Sequence, residues 1–338
     1  MHKVIMMVIL LCAILTAGCQ QQQQETPREL NICSSMEGKA TKLLVQDFAG
    51  RSGIKINIVQ LPAGSFNERL EFIKKNNIDC WLGGTVEEYY LASQQHLLQP
   101  YQAAEAYKVP AAMRSKEGYW TSLYLEYIAF LSNKDKLHQL GLYAPNTWNE
   151  LLRPQLHGEI VIPDFVYGGA SYGMLTSIWQ LRGKKEALRY AAALNKQQIT
   201  YADHLTEAVD LVYSGQKTVA VMPLRYALKL EERYSHLFAT VVEDANRNLL
   251  TGAAIINGSK NQQSAQQFLD YLMSDESQQV LLSNGYRYLW HVKDYPHNNL
   301  REELLGNVQV PNDDLSWTAI EKNEIIRQWL SAGTEEGK

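Results

Sequence analysis

Ile78-Asp79-Cys80-Trp81-Leu82-Gly83-Gly84-Thr85 is a short apolar run that stops at two glycines and a hydroxyl residue, with Val86-Glu87-Glu88-Tyr89-Tyr90 following at helical spacing. That pattern reads as a buried strand feeding the start of a helix. Upstream, Glu29-Leu30-Asn31-Ile32-Cys33 reads as a first buried strand and Ser34-Ser35 as a helix N-cap. A helix over 38–49 then carries Leu43, Leu44 and Phe48 on one face, and Arg51-Ser52-Gly53 supplies the stop. Ile54, Ile56 and Ile58 alternate with Lys55 and Asn57, the period of a strand, and a helix over 66–75 turns Phe66, Leu70 and Ile73 inward. Strands alternating with helices predict a parallel sheet with right-handed crossovers, and ligands of such sheets sit beyond the carboxyl ends of the strands. Ser34, Ser35, Gly83, Gly84 and Thr85 therefore share one rim.

Downstream, the aromatic and β-branched segment 124–131 leads out of this unit, and a second αβ series begins. It comprises a helix near 147–152, a strand over 159–162, Gly168-Gly169-Ala170-Ser171, helices near 172–181, 184–194 and 206–213, and a strand over 218–222. A strand over 251–256 returns the chain to the first unit, which helices near 262–273, 276–284 and 318–330 complete. The expected fold class is α/β with two lobes, each a central sheet flanked by helices, joined by a two-strand hinge. The divisions are 30–130 for the first part of lobe 1, 131–249 for lobe 2 and 250–338 for the return to lobe 1. Past the tether described next, about 310 residues remain, more than one growing core accommodates.

At the N-terminus, Lys3 precedes an apolar stretch over 4–15 and Thr16-Ala17-Gly18-Cys19. The stretch is too short to span a bilayer, and small residues before a cysteine suit a lipoprotein signal over 1–18 with Cys19 as the lipidated first mature residue. Thr16 departs from the Leu usual three residues before that cysteine. An ordinary cleaved signal or an uncleaved anchor is the alternative, and each implies export. Residues 19–29, with Gln20 to Gln24, form a polar tether that places a domain near a membrane, at the periplasmic face or the cell surface. The net charge is −4 and no Lys/Arg cluster marks a phosphate track, so nucleic acid is not an expected partner. With Cys12 in the signal, only Cys33 and Cys80 belong to the folded body; two buried thiols are favoured over a disulfide, and no metal spacing or cofactor motif is present.

The order of segments and several strings resemble the type II periplasmic-binding proteins of the ferric-ion-binding and phosphorylated-compound-binding group. The strings are Asp79-x-Trp81-x-Gly83-Gly84, Gly118-Tyr119-Trp120, Asn133, Pro145-x-Thr147-Trp148-x-x-Leu151-Leu152, Ile255-Ile256-Asn257-Gly258-x-x-Asn261, the helix with Ala265, Phe268, Leu269, Tyr271 and Leu272, and Ser274-x-Glu276-x-Gln278. Each is weak alone; seven in order are specific. The resemblance implies a solute caught between closing lobes, delivery to the permease subunits of an ABC importer, no enzymatic turnover and a monomer; the same fold also serves membrane sensor kinases.

Helix N-termini with Gly and small hydroxyl residues seat anions, and three such rims occur: Ser34-Ser35, Gly84-Thr85 and Gly169-Ala170-Ser171. Simple capping is the plain alternative for any one of them. Ferric binders in the resembling group carry adjacent tyrosines where this chain has Arg225-Tyr226. A guanidinium repels Fe³⁺ and suits phosphate or carboxylate, so Arg225, with Tyr226 beside it, is the expected clamp on a small anionic solute, ahead of iron or polyamine. A surface pair of Arg225 with Glu231 or Glu232 is the bland alternative. Tyr89-Tyr90 are expected to pack the lobe. Asp203 and His204 lie where relatives place a polar ligand contact, although capping and solvation would also explain them. Gly169-Ala170-Ser171-Tyr172-Gly173 matches a nucleophile-elbow string, but eight residues separate Ile162 from Ser171 and no oxyanion string is present, so hydrolysis is disfavoured. Metabolic labelling with a fatty-acid analogue should tag the wild-type chain and leave Cys19→Ala untagged; label on the alanine variant would refute acylation at that residue.

Overall fold

The computed structural model describes residues 28–286, apart from 37, 63 and 168, and residues 307–333. The signal, the tether and Cys19 lie outside the described residues. In the first lobe, β1 (Glu29–Ser34), α1 (Gly38–Ser52), β2 (Lys55–Gln60), α2 (Phe66–Lys75), β3 (Cys80–Thr85), α3 (Val86–Gln94), β4 (Leu98–Gln99) and β5 (Thr121–Glu126) follow in turn. After Tyr127 the second lobe takes β6 (Ile128–Asn133), α4 (Lys134–Gln139), β7 (Ile160–Pro163), α5 (Gly169–Arg182), α6 (Lys184–Asn195), β8 (Thr200–Ala202), α7 (Leu205–Tyr213), β9 (Val219–Pro223), α8 (Leu224–Arg233) and β10 (Leu237–Val241). The chain returns through β11 (Leu249–Ile256) to α9 (Gln262–Leu272) and α10 (Asp275–Leu282), and ends in α11 (Leu315–Ile320) and α12 (Lys322–Ser331). Among the described residues no helix is long and apolar enough to cross a membrane.

The two sheets run β2-β1-β3-β11-β4, with β5 also on β11, and β10-β6-β9-β7-β8. The expected parallel pairing holds for β2-β1-β3 and β8-β7-β9. The strands that enter from the opposite lobe, β11 and β6, lie antiparallel to β3 and β9. Their direction is set by where they come from: each leaves the interlobe region as β1, β3, β7 and β9 run toward it.

Alternation along the strands divides the cores. Ile128 and Phe130 of β6 join Trp148, Ile160 and Ile162 on one side of the second sheet, and Ala129 and Leu131 join Val161, Ala220 and Met222 on the other. In the first sheet Ile32 is the register partner of Cys80, so Cys33 and Cys80 project to opposite faces. Both are buried free thiols, and burial raises the pKa of each, to about 12 for Cys33.

The helix expected over 318–330 is two helices, turning at Glu321. α11 lies against α3 of the first lobe and packs Trp317 at a tilt beside Trp179 of α5, with ring centroids 5.8 Å apart. The terminal helix α12, expected with the first lobe, instead buries Ile325 and Trp329 in the second-lobe core beside Tyr190. Apolar residues four apart need one face of core, and the second lobe supplies it.

Tyr89 fastens the strand that returns from the second lobe. Its ring packs 4.5 Å from that of Trp81, and its hydroxyl faces the carbonyls of Gly83 (2.6 Å), Gly252 (2.9 Å) and Trp81 (3.2 Å). A Cβ on Gly252 would come within 3.0 Å of the Tyr89 ring, so β11 packs this closely only because Gly252 has no side chain. Tyr89→Phe should lower stability by about 1–2 kcal/mol, seen as a lower denaturant midpoint at unchanged slope. An unchanged midpoint would mean that the hydroxyl contributes nothing there.

Candidate functional site

Between the carboxyl ends of the two sets of parallel strands lies a cleft of about 630 Å³, a size suited to a small solute. The first lobe lines it with Ser35 after β1, Gly84-Thr85 at the end of β3, Arg69 of α2, Glu88 of α3 and Tyr124 of β5. The second lobe contributes Asp164 after β7, Gly169-Ala170-Ser171 at the start of α5, Asp203-His204 before α7 and Val221 to Pro223 of β9. The N-terminal ends of α3, α5 and α7 thus open on one space, each bringing the partial positive charge of a helix start, with that of α3 capped by Thr85 and Glu88.

The glycine pair of β3 is needed for steric reasons. Gly83 has φ +86°, and a Cβ there would come within 2.8 Å of the Met36 backbone nitrogen. Gly84, at φ +89°, would drive a Cβ to 2.8 Å from Glu88 Oε2. Only residues without side chains let the loop after β1 and the first turn of α3 approach the strand end together.

Most rim residues read from the sequence meet here: Ser35, Gly84, Thr85, Gly169, Ala170, Ser171, Asp203 and His204 all line the cleft. Ser34 does not. Its buried hydroxyl lies 3.0 Å from Thr41 Oγ1 and accepts from the Met36 N–H at 3.2 Å, so it caps the turn into α1.

The expected clamp also lies elsewhere. Arg225 Nε donates to Glu126 Oε1 at 2.7 Å, and its guanidinium sits 4.0 Å over the Tyr286 ring, outside the cleft lining. Tyr226 packs on the second-lobe core. The cause is local: α8 starts directly after Pro223, so Leu224 takes the core position and Arg225 turns to the hinge, where β5 ends at Glu126. The partner is Glu126, not Glu231 or Glu232 of its own helix. Burial opposes the charge on Arg225, but Glu126 outweighs it and holds the guanidinium firmly protonated.

Arg69 and Glu88, absent from the sequence reading, are the buried charges of the cleft. Arg69 Nη1 donates to Glu88 Oε1 at 2.6 Å, with side chains 11% and 14% exposed. Burial raises the Glu88 pKa, against the opposing pull of Arg69 and Lys322. In the sequence Arg69 stands among Asn67, Glu68 and Glu71, indistinguishable from a solvated helix face, and Glu88 reads as an N3 capping acid. Among the described lining residues, Arg69 stands against three carboxylates: Glu88, Asp164 and Asp203. Asp164 is partly committed, its Oδ1 accepting from the Val166 N–H at 2.7 Å.

Residues 89–314 match the family described as bacterial extracellular solute-binding protein. The chain belongs to that family. As a solute-binding protein it is 29% identical over 248 residues to an uncharacterized protein of Haemophilus influenzae, covering 70% of each chain. It is 22% identical over 295 residues to iron uptake protein A1 of Synechocystis sp., covering 81% of each. Its fold superposes at a TM-score of 0.76 and 22% identity on the periplasmic binding protein AfuA from Actinobacillus pleuropneumoniae, described with exogenous fructose 6-phosphate bound, over 91% of this chain and 99% of that one. The resemblance to two-lobed type II periplasmic-binding proteins is thereby borne out, and these proteins bind solutes and are not enzymes. The elbow-like string agrees with this, since Gly169 to Gly173 all lie inside α5, where no strand-to-helix turn can form.

Because Arg225 and Glu126 are paired across the lobes with little exposure, losing one partner leaves the other charge poorly compensated. Arg225→Ala should destabilise by roughly 2–4 kcal/mol, and Glu126→Ala on top of it should cost less than it does alone. Strictly additive losses in this double-mutant cycle would deny the coupling.

Proposed function

We propose that this solute-binding protein is the extracytoplasmic capture subunit of an ABC importer, held at the membrane through lipidated Cys19 and working as a monomer. Its solute is a small organic anion bearing phosphate and hydroxyl groups, passed from the cleft to a permease. The observation that carries this reading is the meeting of three helix starts, from both lobes, with Arg69 in one cleft of about 630 Å³. Helix N-termini favour an oxyanion, and the guanidinium adds a formal positive charge.

The carboxylates do not oppose this. A carboxylate accepts hydrogen bonds from hydroxyls, so Asp203 suits the polyol part of a sugar phosphate as the helix ends suit its phosphate. AfuA, with its fructose 6-phosphate, supports the same class by analogy of fold. Iron is less well served. Arg225 and Tyr226 stand where a tyrosine pair would be, the described lining holds one tyrosine, Tyr124, and no group of three or more His, Cys, Asp and Glu suited to a metal occurs among the described residues.

Calorimetry against sugar phosphates, phosphoglycerates, hydroxycarboxylates, polyamines and ferric citrate should return a phosphorylated compound as the tightest ligand, and scattering should show a more compact particle at saturation. Tight binding of ferric citrate or a polyamine with every anion silent would overturn the assignment. Neighbouring permease and ATPase genes are expected; a neighbouring histidine kinase gene would favour sensing over import.

A further inference from the structure

Gly84 lies in the wall of the cleft, close to three polar side chains. A Cβ at this position would meet Glu88 Oε2 at 2.8 Å, Arg69 Nη2 at 3.5 Å and Ser35 Oγ at 3.5 Å. Three polar side chains from three segments, the loop after β1, α2 and α3, thus converge on the cleft wall at Gly84, where even a Cβ would crowd Glu88.

Their hydrogen bonds are unevenly used. Glu88 takes Arg69 Nη1 at 2.6 Å on Oε1, and its Oε2 accepts the Thr85 N–H at 3.4 Å, so the carboxylate is engaged on both oxygens. Arg69 Nε and Ser35 Oγ are buried and have no hydrogen-bond partner among the described residues. The Trp81 ring, 5.9 Å from the guanidinium carbon, helps to fix that plane. A guanidinium held by one terminal nitrogen keeps its side-on edge, Nε with Nη2, and that pair of parallel donors matches two oxygens of a carboxylate or phosphate. Unpaired buried donors are costly, and an Arg placed only to neutralise Glu88 would not need to leave this edge unused.

We propose that the cleft wall at Gly84 is the anion subsite of the first lobe, where the Nε/Nη2 edge of Arg69 and the Ser35 hydroxyl hold one oxyanion group of the solute. Glu88 acts as a positioning residue, anchoring the guanidinium by Nη1 so that the other edge stays available. The subsite rests on the reading of the cleft as a receptacle for a small organic anion, and it moves the clamp from the second lobe to the first. Phosphate and carboxylate share the geometry, so the solute's group is one of these two oxyanions.

The test uses the full mature chain, wild type, Arg69→Lys and Ser35→Ala, titrated by calorimetry with glucose 6-phosphate, 3-phosphoglycerate, gluconate and uncharged glucose. Thermal unfolding of each variant verifies the fold. Lys retains the charge beside Glu88 but has no fork. Arg69→Lys should therefore weaken the anions that bind by roughly 10- to 100-fold, and Ser35→Ala by about 3- to 10-fold, with unfolding midpoints close to wild type. Loss for glucose 6-phosphate assigns the subsite to phosphate, and loss for gluconate assigns it to carboxylate. Equal binding by wild type and Arg69→Lys overturns the subsite while leaving the anion reading in place. A wild-type chain that binds none of the anions overturns that reading and the subsite with it.

Discussion

The charge of an arginine that is 3% exposed has to be neutralised where it lies, and Arg247 sits at the second crossing between the lobes. One terminal nitrogen meets Glu87 of α3 at 2.5 Å, and the other meets Asp313, just before α11, at 2.7 Å. Thr176 of α5 and Thr318 of α11 lie 3.3 Å from the same group. Burial opposes the charge on Arg247 and also on Glu87, but mutual attraction wins in both cases: Arg247 is held protonated and the Glu87 carboxyl lies below its usual range. One side chain therefore joins the helix that opens the cleft in the first lobe, a helix of the second lobe and the C-terminal segment. Removing one partner from such a group is expensive, so these segments are held in one arrangement.

Asn246, its neighbour, performs the same task for the backbone. Its side-chain amide accepts from Ile128 N–H at 2.8 Å and donates to the carbonyls of Ile128 and Val242, and its own N–H donates to Gln309. The first crossing, the second crossing and the C-terminal segment meet in this one network of buried amides. Besides the two hinge crossings, the C-terminal segment spans the lobes a third time, because α11 leans on α3 while α12 is packed into the second-lobe core. Any closing motion of the lobes would have to carry this segment with it.

The position of the cleft follows from strand direction, and its chemistry from where glycines allow close approach. Gly173 illustrates this in the second lobe: a Cβ there would come within 2.7 Å of the Leu249 side chain at the start of β11, so any larger residue would require Leu249 to shift. Gly84 does the same on the other side, letting Arg69, Ser35 and Glu88 come together at the cleft wall.

The sequence by itself determined the αβ order, the carboxyl-end rim and most of the residues on it, because strand alternation, helix starts and Gly-Gly turns are local patterns with local causes. It was blind to direction and partnership. Whether α12 serves the first or second lobe depends on which core receives Ile325 and Trp329, and the helical period of the segment is the same in either case. The roles of Arg225 and Arg69 were exchanged for a similar reason: both are single arginines near the start of a helix, and nothing beside them in sequence says whether Glu126 or Glu88 will be within reach. Only the tertiary structure decided that Arg225 braces the hinge and Arg69 faces the cleft, because the partner of a buried charge is set by packing between segments distant in the chain, 99 residues apart in one case and 19 in the other.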